Sequence, residues 1–227
     1  AHVLSLQDRL LSSWSEDQHL IRLGSSTIPS AYLLPNLLAR FSVLHPDISF
    51  DIHQSDSSGV LRALRTGRFD LGLTGMTAPD EDLVFTPLYQ DAMVLIAPNT
   101  PEFSAAKAQN MPLAALLQSH PLLLRENGSG SQRSADDFLR AAGLKTDALH
   151  VAARLNDQES IKNLVAAGLG LAIVSAVSVA RERDRGDLLL FPLADAARSF
   201  YIVTRRHDFL SPAARQFFDF SVRFYTE

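Results

Sequence analysis

Three consecutive hydroxyl residues, Ser25, Ser26 and Thr27, follow the short apolar run Ile21–Gly24 and precede a helical pattern. A single Ser or Thr satisfies a helix N-cap, so three exceed what capping requires. Hydroxyls at such a junction can donate to a polar or anionic ligand, and the helix N-terminus adds N–H groups and positive potential. One of the three can still serve as the cap. The same chemistry recurs further on. In Ser55-Asp56-Ser57-Ser58, Ser57 or Ser58 can cap a helix or meet a ligand, and Asp56 repels an anion unless it points away. Thr74-Gly75 closes another apolar run, and Gly75 permits close backbone approach. The segment Arg125-Glu126-Asn127-Gly128-Ser129-Gly130-Ser131 can wrap an anion with backbone N–H groups or form a plain flexible turn. Arg125 can equally pair with Glu126 or another carboxylate. In Asn156-Asp157-Gln158, Asp157 reads as a cap.

Catalytic chemistry finds little support. The seven histidines (His2, His19, His45, His53, His120, His150, His207) form no i, i+4 metal pair and no HExxH. There is no GxSxG elbow and no P-loop. Gly168-Leu169-Gly170 lacks the third glycine of a dinucleotide fingerprint and follows a helical pattern, so it reads as a helix stop and tight turn. The chain has no cysteine, which removes disulfides, thiolate metal sites and cysteine nucleophiles. The expectation is a binding domain, neither an enzyme nor a metal or cofactor protein.

These junctions need elements to position them. Leu34, Leu37, Leu38, Phe41 and Leu44 mark one face of a helix between about 29 and 45. Pro35 places the regular start of that helix near itself, and His45-Pro46 ends it. Ile48–His53 reads as a strand, Val60–Arg65 as a short helix stopped at Gly67, and Phe69–Thr74 as a strand. Residues 21–75 therefore read β-α-β-α-β, the pattern of a parallel sheet with covering helices. Leu83–Pro98 reads as two strands separated by Tyr89-Gln90-Asp91. A second set follows: strand Leu122–Arg125, helix Ser134–Ala142, strand Val151–Leu155, helix Gln158–Ala167 and strand Leu171–Ser175. Strands near Leu188–Leu193 and Phe200–Thr204 and a helix Pro212–Tyr225 complete the chain. The reading is an α/β protein of two halves, about 21–91 and 92–200, whose C-terminal piece returns to the first. Ligands of open α/β sheets bind beyond the carboxyl ends of strands, so polar junctions in both halves describe a cleft that closes on a small molecule.

With 227 residues and 46% apolar composition the chain can bury a sizeable core. A net charge of −4 argues against gripping nucleic acid, which calls for a basic face. No apolar run approaches the ~18 residues of a membrane span. The first 18 residues show no signal-like core; Val3, Leu6, Leu10, Leu11 and Trp14 give an amphipathic helix that reads as a connector.

The stretches IRLGSSTIPSAYLLPNLLARFSVLHPDISF, LRALRTGRFDLGLTG, LYQDAMVLIAPNTP and ESIKNLVAAGLGLAIVS, in this order and spacing, resemble the effector-binding domain of LysR-type transcriptional regulators over residues 21–227. The resemblance implies two Rossmann-like subdomains with a cleft, as in type 2 periplasmic binding proteins. Subdomain I would comprise 19–91 plus 201–227 and subdomain II 92–200, with crossovers near Ala92–Pro98 and Arg198–Thr204. Residues 1–18 would end a linker helix. DNA would be read only through a winged helix-turn-helix outside this chain. It implies effector contacts at Ser26, Ile28 and Pro29, with Ser57 and Asn156 at further contact positions. Ile28 and Pro29 are apolar where relatives often carry hydroxyl or amide, which shifts weight to Ser25, Ser26 and Thr27. The effector set is thus Ser25, Ser26, Thr27, Ile28, Ser57, Thr74, Gly75, Arg125, Gly128, Ser129 and Asn156, around a small polar molecule or anion such as a sulfur-type oxyanion or carboxylate. The resemblance also implies a cytoplasmic, allosteric bacterial regulator that forms a homodimer or homotetramer through helices holding Leu37–Phe41 or Leu61–Leu64, with no membrane partner. A stand-alone solute-binding protein of a transport system is the alternative with the same fold.

Overall fold

The computed structural model describes residues 19–225. The amphipathic N-terminal segment, Val3 to Trp14, lies outside them. The described chain divides into two compact units. Unit 1 combines the chain up to Tyr89 with the chain from Ser199 onward, and unit 2 is Gln90–Arg198. Both divisions fall about two residues before the boundaries at 91/92 and 200/201 expected from the sequence.

In unit 1, strand β1 (Leu20–Ser26) pairs in parallel with β2 (Ser49–Ser55) and with β3 (Leu71–Thr74). This is the β-α-β-α-β reading of residues 21–75. β1 is apolar and mostly buried because it runs between two partners, while β2 has one neighbour and is mostly exposed. Helix α1 (Leu34–Leu44) begins at Pro35's turn, as its missing N–H predicts. A π-helical turn, Pro29–Leu33, precedes it, and the Leu34 N–H donates to the Pro29 carbonyl. Wide turns of this kind are rare and recur near functional sites. Helix α2 (Ser57–Arg65) ends at Gly67, whose φ of 74° is the left-handed conformation glycine tolerates. Ile21, Leu23, Leu34, Leu37, Phe41, Leu71 and Leu73 pack into one core. Leu37, Phe41, Leu61 and Leu64 of the two helices named for an oligomer surface are core residues, and the exposed apolar residues of α1 are Val43 and Leu44.

Strands β4 (Leu83–Pro98) and β8 (Leu188–Arg205) each carry the chain from one unit into the other. Each was expected to be two strands. β4 continues through Tyr89-Gln90-Asp91 because the Asp91 carboxylate is satisfied internally. β8 continues because Ala194–Ser199 holds neither Gly nor Pro to turn it.

In unit 2, helices α3 (Pro101–Ala108) and α4 (Leu113–Ser119), unforeseen in the sequence, lead to β5 (Leu122–Arg125). Helix α5 (Gly130–Ala141), β6 (Val151–Leu155), helix α6 (Gln158–Ala166) and β7 (Ala172–Ser175) follow, then the short helix α7 (Ala180–Arg185). β5 pairs in parallel with β6, and β7 antiparallel with β4. α5 starts four residues before the expected Ser134, since Ser129 caps it. Gly168 takes a φ of 85° to stop α6. A Cβ on Gly170 would lie 2.4 Å from the Pro121 carbonyl oxygen, so Gly168-Leu169-Gly170 is a stop followed by a close backbone crossing. Helix α8 (Pro212–Phe224) packs in unit 1, where the Tyr225 hydroxyl donates to the Leu33 carbonyl at 2.8 Å. Burial, with Tyr89 alongside, pushes that phenol up to about 12.

Candidate functional site

In unit 1 the register aligns Ser26 with Ser55 and Ser25 with Leu73. The carboxyl ends of β1, β2 and β3 therefore share one sheet edge, where ligands of open α/β sheets bind. Ser25 is fully buried and donates to the Ser26 carbonyl at 3.2 Å. Thr74 is also fully buried, and its hydroxyl donates to the Met76 carbonyl at 2.8 Å. Ser26 and Ser57 are 5% and 2% exposed, yet neither hydroxyl has a hydrogen-bond partner among the described residues. Ser57 is the first residue of α2, but Asp56 is the cap and accepts from the Gly59 N–H. A Cβ on Gly59 would lie 2.3 Å from the Ser55 hydroxyl and 2.9 Å from the Asp56 carboxylate, so a larger residue there would displace both side chains. No side chain caps the helical turn after β1, so the expectation that one of Ser25–Thr27 caps it is corrected. Thr27 is half-buried and Ile28 buried beside them. Gly75 is half-buried without a positive φ.

Unit 2 places its polar residues at the ends of β5, β6 and β7, but ties them to one another. Arg125 was read both as a ligand contact and as a partner of Glu126, and the second is what the structure shows: its Nε and Nη2 donate to the Glu126 carboxylate at 2.8 and 2.9 Å, its Nη2 to the Asn156 carbonyl at 3.2 Å and its Nη1 to Gln158 Oε1 at 3.3 Å. A guanidinium at 3% exposure with two compensating oxygens and two more acceptors holds the loops together, which is a positioning role. Ser129 accepts from the Gln132 N–H at 3.4 Å and is the cap of α5. Gly128 takes a φ of 92° in the exposed turn before it. The Asn156 side chain is exposed. Asp157 caps α6 as expected; the Ser160 hydroxyl and the Ser160 and Glu159 amides hold its carboxyl below the usual range.

The sequence reading missed a buried polar chain that runs on from Arg125. Gln158 Nε2 donates to Ser178 Oγ at 3.2 Å, and Ser178 Oγ to the Ser175 carbonyl at 2.6 Å. Ser175 Oγ donates to Asp91 Oδ2 at 2.6 Å, and Arg198 Nε donates to the same oxygen at 3.0 Å. Arg198 Nη1 donates to Ser131 Oγ at 3.2 Å, and the adjacent Gln132 accepts from the Arg125 N–H at 2.7 Å. The available signal was a lone acid, Asp91, in an apolar run and a lone base, Arg198, before another. Burial pulls the Arg198 guanidinium below its ordinary value, with Asp91 acting against it.

Residues 15–225 match the family described as the LysR substrate binding domain. The chain belongs to the LysR substrate-binding domain family. It is 30% identical over 200 residues to the probable RuBisCO transcriptional regulator of Cyanophora paradoxa, covering 86% of this chain and 61% of that protein. This LysR domain thus spans less than two thirds of that relative's length. It superposes on the Synechocystis CcmR regulatory domain in complex with 2-PG with a TM-score of 0.79 at 23% identity, over 92% of this chain and 98% of that one. It superposes on the effector-binding domain of QuiR in complex with shikimate with a TM-score of 0.74 at 19% identity, over 91% and 97% of the two chains. The LysR domain therefore has the fold of LysR effector-binding domains. Among the described residues no cluster of His, Cys, Asp and Glu is arranged to hold a metal, and no helix is long and apolar enough to cross a membrane.

Proposed function

We propose that this LysR domain senses a small polar or anionic effector for a cytoplasmic transcriptional regulator. The observation that carries the reading is the pair of hydroxyls without a protein partner on the largely buried residues Ser26 and Ser57, each at the start of a helix on the same sheet edge. A hydroxyl that no protein group engages and that keeps access to solvent is free to donate to a ligand acceptor. Helix N-terminal N–H groups would supply the positive potential. Arg125 and Arg198 are each matched by a carboxylate, so an effector would be held by hydroxyls and N–H groups in place of an uncompensated cation. That favours a compact carboxylate or oxyanion, a class in keeping with the shikimate and 2-PG of the two structural neighbours. Thr27 and Ile28 would shape the wall, with Gly75 and Thr74 behind it; Gly128 and the exposed Asn156 side chain are the candidate contacts within unit 2.

Effector binding would favour one conformation of the domain over another and so alter a homodimer or homotetramer, whose DNA contacts belong to a winged helix-turn-helix outside this chain. The family match favours this reading over a transport solute-binding protein and over an enzyme. A thermal-shift screen with sulfate, 2-PG, shikimate and amino acids tests it, since a ligand of the folded state raises the melting temperature by mass action. Titration calorimetry on the best ligand should then show about tenfold weaker binding in Ser26→Ala, the order expected for one lost hydrogen bond to a charged group. Unchanged affinity in both Ser26→Ala and Ser57→Ala would overturn the assignment.

A further inference from the structure

Asp91 is a four-way junction. Its carboxylate accepts from Arg198 Nε of β8 at 3.0 Å, from Ser175 Oγ at the end of β7 at 2.6 Å and from the Val177 N–H beyond it at 3.3 Å, while Asp91 itself lies on β4. The Asp91 and Arg198 side chains are 2% and 7% exposed. Arg198 passes the linkage on to Ser131, in the first turn of α5, at 3.2 Å. Their places in the chain are telling: Asp91 is the second residue of unit 2 and Arg198 its last. The ion pair therefore joins β4 and β8 at the two points where the chain enters and leaves unit 2. The same pair grips the start of α5 and the segment after β7, two of the polar strand-end segments of this unit.

We propose that Asp91 and Arg198 are positioning residues for the effector response, fixing β4 and β8 to the first turn of α5 and to residues 175–178. Movement of that turn is then transmitted to both strands that leave the unit. The planar guanidinium suits this because one edge holds the carboxylate while another nitrogen reaches the serine, a geometry that a lysine ammonium does not reproduce. This inference rests on the reading of the domain as an effector sensor, but its test needs no effector.

Hydrogen exchange on the 227-residue chain reads the linkage directly. Ser131→Ala removes the contact to α5 and leaves the buried ion pair whole, so it should fold. The expected result is amide exchange about tenfold faster both in the first turn of α5 and in the remote segments 90–94 and 196–200. Ser131→Thr, which keeps the hydroxyl, should restore the wild-type rates. Arg198→Lys should resemble Ser131→Ala. Ser134→Ala, which removes only a bond to the Gly130 carbonyl on the same helix, should leave the strands unchanged. Faster exchange confined to α5 in Ser131→Ala, or equal changes in Ser134→Ala, would overturn the proposal. Neither result would touch ligand binding at Ser26, which is read separately by calorimetry.

Discussion

The two units treat the same place in the same local topology in opposite ways. Both bring parallel strands to an edge where helices begin, and both load that edge with small polar residues. In unit 1, the hydroxyls of the largely buried Ser26 and Ser57 have no protein partner among the described residues and keep access to solvent. In unit 2, Arg125, Gln132, Gln158, Ser175, Ser178, Asp91, Arg198 and Ser131 consume one another's donors and acceptors in a continuous chain. An edge whose hydroxyls are left open is suited to hold something that comes and goes. An edge whose side chains are tied to one another is suited to hold a shape.

This contrast can be broken by mutation. The largest effect is expected from Asp91→Ala, which strands the buried Arg198 guanidinium. Loss of one partner of a buried pair costs about 3–5 kcal/mol, so chemical denaturation should show a steep loss of stability or no folded protein. The two helix-start serines should then separate the units more finely. Ser129 caps α5, and Ser129→Ala should cost about 1 kcal/mol. The Ser57 hydroxyl makes no hydrogen bond among the described residues, and Ser57→Ala should change stability by less than about 0.5 kcal/mol while weakening the effector. If Ser57→Ala proved as costly as Ser129→Ala, the open edge of unit 1 would be structural. The smallest effect concerns acid. Asp157 is held below the usual carboxylate range by the Ser160 hydroxyl and two backbone amides. Its contribution is complete above the ordinary value near ~3.9 and is lost as pH falls through the depressed folded value. Asp157→Asn should therefore lower the neutral plateau of a stability-versus-pH curve slightly and flatten its acid limb, because the charge and one of the two acceptor oxygens are lost.

Much of unit 1 was legible from residue order. Pro35, Gly67 and the apolar face at Leu34, Leu37 and Phe41 act locally, through a missing N–H, a left-handed turn and helical periodicity. Arg125 was legible as a polar residue at a strand end but not in its role, because Glu126 and Gln158 compete for its donors and only one of them is adjacent in sequence. β4 and β8 were each broken in two because a polar interruption normally ends a strand. Asp91 does not end β4, since its partners arrive from positions 84 and 107 residues further along the chain.

Sequence by itself determined the alternation of strands and helices, the hydroxyl-rich strand ends and the family to which they point, since each depends on neighbours within a few residues. Tertiary structure decided which of those polar groups remain open. Ser26 and Ser57 stay unpartnered while Arg125 and Ser129 are committed, because a hydrogen bond is won by whichever donor the fold brings within about 3 Å, and that is set by packing across the whole unit.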